Sequence, residues 1–374
     1  MPLALLNEPW LAGLRIIMLE PRRLATRAAA HRMAELLEEP VGQTVGYSMR
    51  QESRKSAATR IEVVTEGLLT RRLQYDPELA GVGLVIFDEL HERSLHADIA
   101  LALCLDARAN LREDLRILAM SATLDSTAVS HALRSPAGPA PVIEASGRSY
   151  PVAVKYLGNS APSSDLRELL PAVENAVRTA LAEQTGHVLV FLPGRREIDR
   201  CRQQLHWLGN DQLFSLHGDM TADAQKHSLS SNQGPQRVIL SSAIAETSLT
   251  IPGIGAVIDA GLARMPAFDP NSGFTRLETR RVSRASATQR SGRAGRLGPG
   301  IGYRLWSESA HSALNEHLPA EIDIADLAPM RLELAAWGET NPNNLSWLSP
   351  PPQAHWQQAG DCLINLGAIS ENGR

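Results

Sequence analysis

The stretch LVIFDELHERSLHADIA, at residues 84–100, places two acids directly after a short apolar run. Four apolar residues predict a buried strand; Asp88 and Glu89 follow it at once, and His91 lies two positions further on. In a parallel α/β sheet, ligands bind beyond the carboxyl ends of the strands, so the two carboxylates stand where a ligand is expected. One could orient a Mg²⁺ ion that bridges nucleotide phosphates, while the other positions the attacking water. Ordinary solvated acids are the alternative, and they are the commoner explanation for a bare pair of acids.

The segments around this stretch alternate between strand-like and helix-like patterns. Short apolar runs predict buried strands, and segments rich in Ala, Leu and Glu with a 3.6-residue period predict helices. Such alternation is typical of a parallel sheet that is covered on both faces. The predicted strands of this part are residues 15–19, 61–65, 82–87 and 115–120, and the predicted helices are 22–39, 66–75 and 95–110.

A break at RSPAGPAP, residues 134–141, precedes a second series of the same kind. Pro and Gly interrupt regular elements, so we expect a domain boundary there. The clearest strands of the second series are predicted at 186–192, 236–241 and 254–260, and beyond residue 306 helices and Pro-rich turns prevail. We therefore predict an α/β fold with two parallel-sheet domains in tandem, at 1–136 and 137–315, followed by a small, mostly helical segment at 316–374.

The composition excludes several classes of protein. The 374 residues carry a formal net charge of −4, which argues against a globally basic nucleic-acid binder, although 34 of the 37 basic residues are Arg. Arg is suited to binding phosphate, but a GC-rich genome produces the same bias without a functional cause. The three cysteines lie far apart, which argues against a disulfide framework or a zinc site. No apolar run reaches the roughly 20 residues of a membrane span, and no signal peptide is evident, so we expect a cytoplasmic protein with no membrane partner.

The strand after the one that carries the acids ends in Ser121 and Thr123. Hydroxyl residues are common after strands, so this signal is weak by itself. Because neighbouring parallel strands end at the same edge of a sheet, these hydroxyls are expected close enough to the acids to sense a bound ligand.

The segment TQRSGRAGR, residues 288–296, is the strongest local signal. Its arginines at 290, 293 and 296 are three residues apart, so on a helix they would share one face. Gly292 and Gly295 are unfavourable inside an exposed helix, and close approach of the backbone to a ligand or a sheet would account for both. Residues 276–296 contain seven Arg and one Glu, which makes them a local anion site, with a solvated basic face as the alternative.

Taken in order, these motifs resemble those of the DEAH/RHA group of superfamily 2 helicases, most closely the bacterial HrpB-type subfamily. DELH and SAT resemble motifs II and III, and QRSGRAGR resembles motif VI. The segments FLPGRREI (191–198) and SSAIAETSLTIPGI (241–254) are similar to motifs IV and V, while LEPRRLA (19–25) and VTEGLL (64–69) are similar to motifs Ia and Ib. The resemblance extends from about residue 12 to 370. It implies two RecA-like domains, then a winged-helix-like segment.

The resemblance also implies roles for individual residues, ATP and Mg²⁺ as cofactors, and single-stranded RNA as partner in preference to DNA. In the first domain, Asp88 and Glu89 would hold Mg²⁺, Glu89 would activate water, and His91 would link the nucleotide site to the other domain. Ser121 and Thr123 would couple hydrolysis to strand movement. Gln289, Arg293, Arg296 and Thr250 would contact the nucleotide from the second domain. The RNA backbone would be contacted by Arg22, Arg23, Thr65, Arg195 and Thr247.

The segment 263–278 has turn residues between two strand-like arms. It resembles the family's β-hairpin that helps to part a duplex, and an ordinary surface hairpin is the alternative.

Three departures from the family pattern affect the expected activity. Motors of this kind use a phosphate-binding loop, G-x-x-x-x-G-K-[ST], and none of the three lysines here follows a glycine. We therefore expect a first domain that lacks its P-loop strand and a chain truncated just after motif I. Ala243 stands where family members commonly have Asn, and Pro252 where they usually have an acid. Proline also removes a backbone donor.

The sequence leads to two hypotheses of different classes. The first is an ATP-dependent RNA helicase that translocates on single-stranded nucleic acid as a monomer, with little hydrolysis by this polypeptide alone. The second is a non-hydrolysing nucleic-acid-binding remnant. A motor that acts on DNA is a third possibility, because sugar contacts are not evident from sequence.

Overall fold

A computed structural model describes residues 1–373 except 12, 123–125, 137, 146–149, 185, 230–234, 247–250 and 270–271, and the side chains of Ala222 and Lys226 are also excluded. The chain divides into two compact units. The first comprises Met1–Glu144, Ala267–Thr275 and Pro319–Arg374, and the second comprises Ala145–Pro266 and Arg276–Leu318. The separate domain that the sequence predicts at residues 316–374 stays a prediction.

The first unit is built on a mixed sheet whose central strands are parallel. Among the described residues its strand order is β3-β2-β4-β1-β5-β6, and only β3 is antiparallel to its neighbour. The strands are β1 (Arg15–Glu20), β2 (Val45–Met49), β3 (Glu52–Arg54), β4 (Ile61–Thr65), β5 (Val82–Phe87) and β6 (Arg116–Ala119), and the helices are α1 (Pro2–Leu5), α2 (Arg23–Leu36), α3 (Glu66–Tyr75), α4 (Leu95–Asn110) and α5 (Ser126–Ala132).

Alternating residues of the central strands supply two separate cores, one on each face of this sheet. On β1, Ile17 and Leu19 belong to one apolar cluster, while Ile16 and Met18 belong to another. The first cluster includes α3 and α4, and the second includes α2. Because side chains alternate across a strand, apolar residues at every position bury both faces, as predicted for this part of the chain.

The second unit contains another parallel sheet, with strand order β7-β14-β11-β8-β10-β9 among the described residues. The strands of this sheet are β7 (Val152–Tyr156), β8 (His187–Phe191), β9 (Leu213–Leu216), β10 (Val238–Ser241), β11 (Ile254–Asp259) and β14 (Gly300–Arg304), and the helices of the unit are α6 (Leu166–Glu183), α7 (Arg195–Gln204), α8 (Ala222–Leu229), α9 (Arg284–Gly292) and α10 (Glu308–Ser312). A hairpin of strands β12 (Leu262–Asp269) and β13 (Phe274–Arg281) begins and ends in this unit, and its segment Ala267–Thr275 is counted with the first unit. The predicted fold of two tandem parallel-sheet α/β domains is therefore confirmed.

The C-terminal segment is helical and belongs to the first unit, where it packs against α4. Its helices are α11 (Glu321–Ile324), α12 (Ala328–Trp337) and α13 (Gln353–Asn365). The α11 carboxylate of Glu321 accepts a hydrogen bond from the N–H of Leu95, the first residue of α4, at 2.8 Å. The indole of Trp337 donates to Asp106 on α4 at 2.8 Å. In the described part of the chain, no helix is long and apolar enough to cross a bilayer.

Candidate nucleotide and nucleic-acid sites

The acids of DELH lie at the carboxyl end of β5, as predicted from the sequence. The Asp88 N–H donates to the carbonyl of Leu19 on β1 at 3.1 Å, and the Leu90 N–H donates to the carbonyl of Met120 after β6 at 3.2 Å. These bonds hold the turn after β5 to the strands on both sides. The ends of three adjacent parallel strands therefore meet at Asp88, which is the usual place for a ligand in such a sheet.

Glu89 adopts a left-handed backbone conformation, with φ of 51°. This region costs an ordinary residue free energy, and such residues concentrate at functional sites. The Glu89 N–H donates to Asp88 Oδ1 at 2.9 Å, which closes a tight turn. His91 Nδ1 lies 3.4 Å from Glu89 Oε2. The turn thus brings Asp88, Glu89 and His91 together, as their spacing in the sequence implied.

Glu20, the last residue of β1, is a third acid at this edge that the sequence analysis did not single out. Its side chain is buried and hydrogen-bonds with that of Asp88. Burial raises the pKa of the Asp88 carboxyl, although the Glu89 N–H and the Glu20 side chain lower it in part. An acid directly after the buried run RIIML was the sequence signal that could have identified Glu20.

These carboxylates fit a hard cation such as Mg²⁺. Buried carboxyl oxygens are the ligands that Mg²⁺ prefers, and a cation here would offset the cost that burial imposes on Asp88. Within the described ranges, no group of three or more His, Cys, Asp or Glu residues forms a ready-made metal cage. Mg²⁺ is usually bound by one or two carboxylates together with substrate phosphates and water.

Of the two predicted hydroxyl residues after β6, the structure describes Ser121. Ser121 is exposed, directly after the backbone link between Met120 and Leu90. Thr123 lies outside the described residues. The structure therefore places one of the two predicted hydroxyls next to the DELH turn.

The predicted RNA-contacting arginines of the first unit lie at the start of α2 and are ion-paired. Arg22 Nη2 is 3.1 Å from Glu92 Oε2, which ties the segment after β1 to the DELH turn. Arg23 is more exposed and lies 3.6 Å from Glu52. Thr65 is the residue before α3, and its side chain makes no capping hydrogen bond.

In the second unit, two of the three arginines of motif VI, Arg290 and Arg293, are buried, whereas Arg296 is exposed. Helix α9 ends at Gly292, and Arg293 begins a 3₁₀ turn that extends to Gly295. Arg290 is completely buried, whereas Arg296 is exposed. Arg290 and Arg293 both bond to Glu246, so they lie on the same side of this segment, and Arg296 alone of the three is exposed.

Glu246 organises the buried side of motif VI. Its carboxylate accepts from Arg290 Nε at 2.8 Å and from the Ser286 hydroxyl at 2.5 Å. Its main-chain carbonyl accepts from Arg293 Nε at 2.8 Å. Arg293 is thereby held in one orientation, with 8% of its surface exposed. Sequence reasoning gave Glu246 no role, because its partners lie 40 or more positions further along the chain.

The two glycines of motif VI differ in their surroundings. A Cβ on Gly295 would lie 2.6 Å from the Tyr150 carbonyl oxygen and from a Val152 methyl group, so the prediction of a close approach is confirmed there. A Cβ on Gly292 would meet nothing within 4 Å, so Gly292 makes no close approach to a sheet, and close approach to a ligand stays a prediction there.

Other predicted positions of the second unit are exposed or lie outside the described residues. Arg195 is the first residue of α7 and forms long ion pairs with Asp199 and Asp219, at 3.6 and 3.8 Å. Gln289 is half-buried on α9. Thr247 and Thr250 are outside the described residues. Ala243 begins a 3₁₀ turn directly after β10 and Ser242.

The predicted hairpin is confirmed as strands β12 and β13. Gly273, with φ of 70°, donates from its N–H to the carbonyl of Asp269 at 2.9 Å, so the turn lies where the sequence placed it. Phe274 and Leu277 on β13 are 69% and 66% exposed. Large apolar side chains at this exposure suit contact with a partner surface.

Comparison with known proteins identifies the family. Residues 2–131 match the DEAD/DEAH box helicase family and residues 167–298 match the helicase conserved C-terminal domain. The chain is 48% identical to the ATP-dependent RNA helicase HrpB of Escherichia coli (strain K12), over 99% of the chain and 45% of that protein. It is 35% identical to HrpA of the same organism, over 94% of the chain and 27% of that protein.

A solved structure shows the same architecture. The crystal structure of the Escherichia coli DEAH/RHA helicase HrpB superposes with a TM-score of 0.89 at 45% identity, and covers 99% of this chain and 47% of that one. The chain thus spans about half the length of HrpB. The ordered motifs, both matched domains and the shared fold lead to one conclusion: the chain belongs to the DEAD/DEAH box helicases and is similar to the DEAH/RHA helicase HrpB.

Proposed function

We propose that the chain forms the motor part of an ATP-dependent RNA helicase, in which nucleotide hydrolysis drives movement along single-stranded RNA. The observation that carries the proposal is the turn after β5, where Asp88, Glu89 and His91 converge at the carboxyl end of a parallel sheet. A ligand-binding edge with two adjacent carboxylates suits a nucleotide whose phosphates are bridged by a divalent cation.

Each residue of the turn has a distinct role in this proposal. Asp88, held by the Glu89 N–H and hydrogen-bonded with Glu20, orients the cation. Glu89 accepts the proton of the attacking water, and His91, 3.4 Å from it, fixes the orientation of that carboxylate. Mg²⁺, when bound, neutralises charge on the phosphate oxygens.

The proposed phosphate contacts of the second unit come from Gln289, Arg293, Arg296 and Thr250. Arg293 suits this role because the Glu246 carbonyl holds its guanidinium in place, and a preorganised cation costs little reorganisation during reaction. Arg290 is excluded, since its side chain is fully buried and paired with two acids.

We propose that RNA is contacted through its backbone by Arg22, Arg23, Thr65, Arg195 and Thr247. Phosphate contacts make binding depend steeply on salt and only weakly on sequence. Arg23 and Arg195, with side chains 61% and 63% exposed, are the most accessible cations of this set. A matched pair of RNA and DNA oligonucleotides would show which sugar is preferred.

The 374 residues contain no G-x-x-x-x-G-K-[ST] sequence, so we propose that this polypeptide alone hydrolyses ATP slowly. The decisive experiment is a chimera that carries the phosphate-binding segment of HrpB ahead of residue 1. We expect RNA-stimulated phosphate release by the chimera, and its loss in the Glu89→Gln chimera. A chimera that binds RNA but does not hydrolyse ATP would instead favour the non-hydrolysing remnant, in which Ala243 and Pro252 mark a decayed nucleotide site.

A further inference from the structure

A pocket of about 330 Å³ opens at the edge of the first sheet opposite to the DELH turn. Its lining includes Arg15 and Val82, the first residues of β1 and β5, which are paired in the sheet. Strand β5 has six residues, so the pocket and Asp88 lie roughly 20 Å apart along the sheet. The pocket is therefore separate from the proposed nucleotide site and needs its own explanation.

The floor of the pocket is apolar. Ile17, Leu79 and Val82 line it and are almost completely buried, and Leu68 of α3 lies beside them. Tyr75, the last residue of α3, also lines the pocket, and 85% of its surface is exposed. A planar, partly apolar group could lie on this floor with the phenol ring at its side.

The polar lining is strongly cationic. Arg15, Lys55, Arg71 and Arg72 line the pocket with Asp76 as the one acid among the lining residues. Beneath them, buried Glu62 accepts hydrogen bonds from Lys55 at 3.0 Å and from Arg72 Nη1 at 2.9 Å. Four cationic groups therefore face two carboxylates, which leaves an excess of two positive charges.

Arg15 and Arg71 account for this excess. Arg15 is exposed, and its one side-chain hydrogen bond to a residue that the structure describes is a long contact of 3.5 Å to the carbonyl of Ala80. Arg71 is also exposed, and its guanidinium forms no ion pair with any residue that the structure describes. The Asp76 carboxylate accepts a hydrogen bond from the Ala80 N–H at 2.8 Å. Two arginines are thus available to an anion at the mouth of a small apolar pocket.

We propose that this pocket binds a nucleoside phosphate, with the phosphate between Arg15 and Arg71 and the base on the apolar floor beside Tyr75. Guanidinium groups bind phosphate oxygens through charged, often paired hydrogen bonds. The base gains stacking on the aromatic ring. The volume is at the lower end of the range for small-ligand pockets, roughly 300–1,000 Å³, so the ligand is a mononucleotide or the terminal nucleotide of an RNA strand.

The test is calorimetric titration of the 374-residue chain with adenosine 5′-monophosphate, inorganic phosphate and adenosine. We expect the monophosphate to bind at least tenfold more tightly than either part alone. Equal affinity for inorganic phosphate or for adenosine would overturn the proposal. Tyr75→Ala should lower the affinity for the monophosphate several-fold and leave the affinity for inorganic phosphate unchanged. If Tyr75→Ala changes neither affinity, the proposal is also overturned.

Two double variants test whether Arg15 and Arg71 form the phosphate site. Arg15→Gln with Arg71→Gln should lower affinity for the monophosphate about tenfold or more, since about 1.4 kcal/mol of lost interaction is a factor of ten. The control, Arg32→Gln with Arg134→Gln, removes two positive charges from exposed positions of the same unit and should leave affinity unchanged. If the two arginines only stabilise the fold, the first variant will lower the unfolding midpoint without weakening binding, and the proposal fails.

Two further experiments distinguish binding at this pocket from binding at the proposed nucleotide site and identify the source of the ligand. Asp88→Asn with Glu89→Gln should not alter binding of the monophosphate, and a loss confined to that variant would overturn the proposal. A short RNA with a 5′-phosphate is compared with the same RNA bearing a 5′-hydroxyl. Phosphate-dependent RNA binding that the Arg15 and Arg71 changes weaken identifies an RNA end, and binding of the monophosphate alone identifies free nucleotide. Neither result depends on ATP hydrolysis, so the proposed function can fail independently.

Discussion

Arg290 and Asp259 form an ion pair in the interior of the second unit, with Nη1 2.8 Å from Oδ1 and side-chain exposures of 0% and 1%. Arg290 also donates to the Glu246 carboxylate and lies over the ring of Phe191, 4.9 Å from its centroid. This arginine belongs to motif VI by sequence, yet it joins the helix that carries motif VI to the end of β11. Its function is to hold that helix in position.

Replacing Arg290 by Met should destabilise the second unit by about 3–5 kcal/mol, because the change leaves Asp259 buried without its partner. Chemical unfolding followed by tryptophan fluorescence measures the effect. The matched control is Arg280→Met, since Arg280 pairs with Glu278 at an exposed position; we expect it to change stability by less than about 1 kcal/mol. Similar unfolding midpoints for the two variants would contradict the structural role of Arg290.

Gly295→Ala should destabilise the protein by about 1–3 kcal/mol, because the new methyl group would meet the Tyr150 carbonyl oxygen at 2.6 Å. Gly292 provides the control three residues earlier, at the end of α9 with open space around its Cβ position. Gly292→Ala should be neutral or slightly stabilising, since Ala favours helix over Gly. Thermal unfolding of both variants checks this, and an equal loss in both would refute the packing argument.

Glu66 should make the first unit less stable as the pH rises. Burial raises the pKa of its carboxyl from 4.5 to about 7, against the opposing effect of the Ser94 hydroxyl, and the acids Glu92 and Glu321 raise it further. The folded state therefore holds the proton more tightly than the unfolded chain. This stabilisation is fully present below pH 4.5 and is lost as the pH rises through about 7, by about 3 kcal/mol.

Glu66→Gln should remove this pH dependence and make the protein more stable than the parent at pH 8. Unfolding by urea at several pH values between 4.5 and 8 measures the slope. Glu78→Gln, at an exposed position of the same unit, should retain the parental slope. A Glu66→Gln variant with an unchanged slope would show that this carboxyl does not cause the dependence.

Glu62 should make the first unit less stable as the pH falls, which is the opposite of the pH dependence expected from Glu66. Burial by itself raises its pKa, but hydrogen bonds and charge from Arg72, with help from Ser48 and Lys55, outweigh burial and hold the pKa at about 2. Its contribution to stability is therefore present above pH 4.5 and is lost as the pH falls towards 2. Glu62→Gln should cost about 3 kcal/mol at pH 7 and little at pH 2, and Glu35→Gln on the exposed surface is the control. Equal losses at both pH values would contradict the assignment.

Much of the fold was predictable because local patterns and packing agree. Helices α3 and α4 begin and end where the sequence pattern placed them, and the Ser94 hydroxyl caps α4 by accepting from the Ala97 N–H at 3.0 Å. The strands that were missed are β2, β3, β7, β9 and β14, and all of them lie at or next to the edges of their sheets. Strands β3 and β7 are mostly exposed or half-buried and therefore carry weak apolar patterns, whereas β2 is buried throughout but is short and contains Gly46 and Ser48.

The sequence by itself determined the alternation of the main strands and helices and the acids at the end of β5, because each depends on residues that are close together in the chain. It also indicated the family, because each motif is a short local segment and the motifs follow one another in a fixed order. Only the tertiary structure decided that Arg290 is a buried structural residue, that Glu20 joins Asp88 and that Arg15 and Arg71 line one pocket. Those features depend on residues 31 to 68 positions apart, and on how much water burial removes from each charged group. Spacing along the chain carries no information about either, so the roles of these charges emerge only from the packed fold.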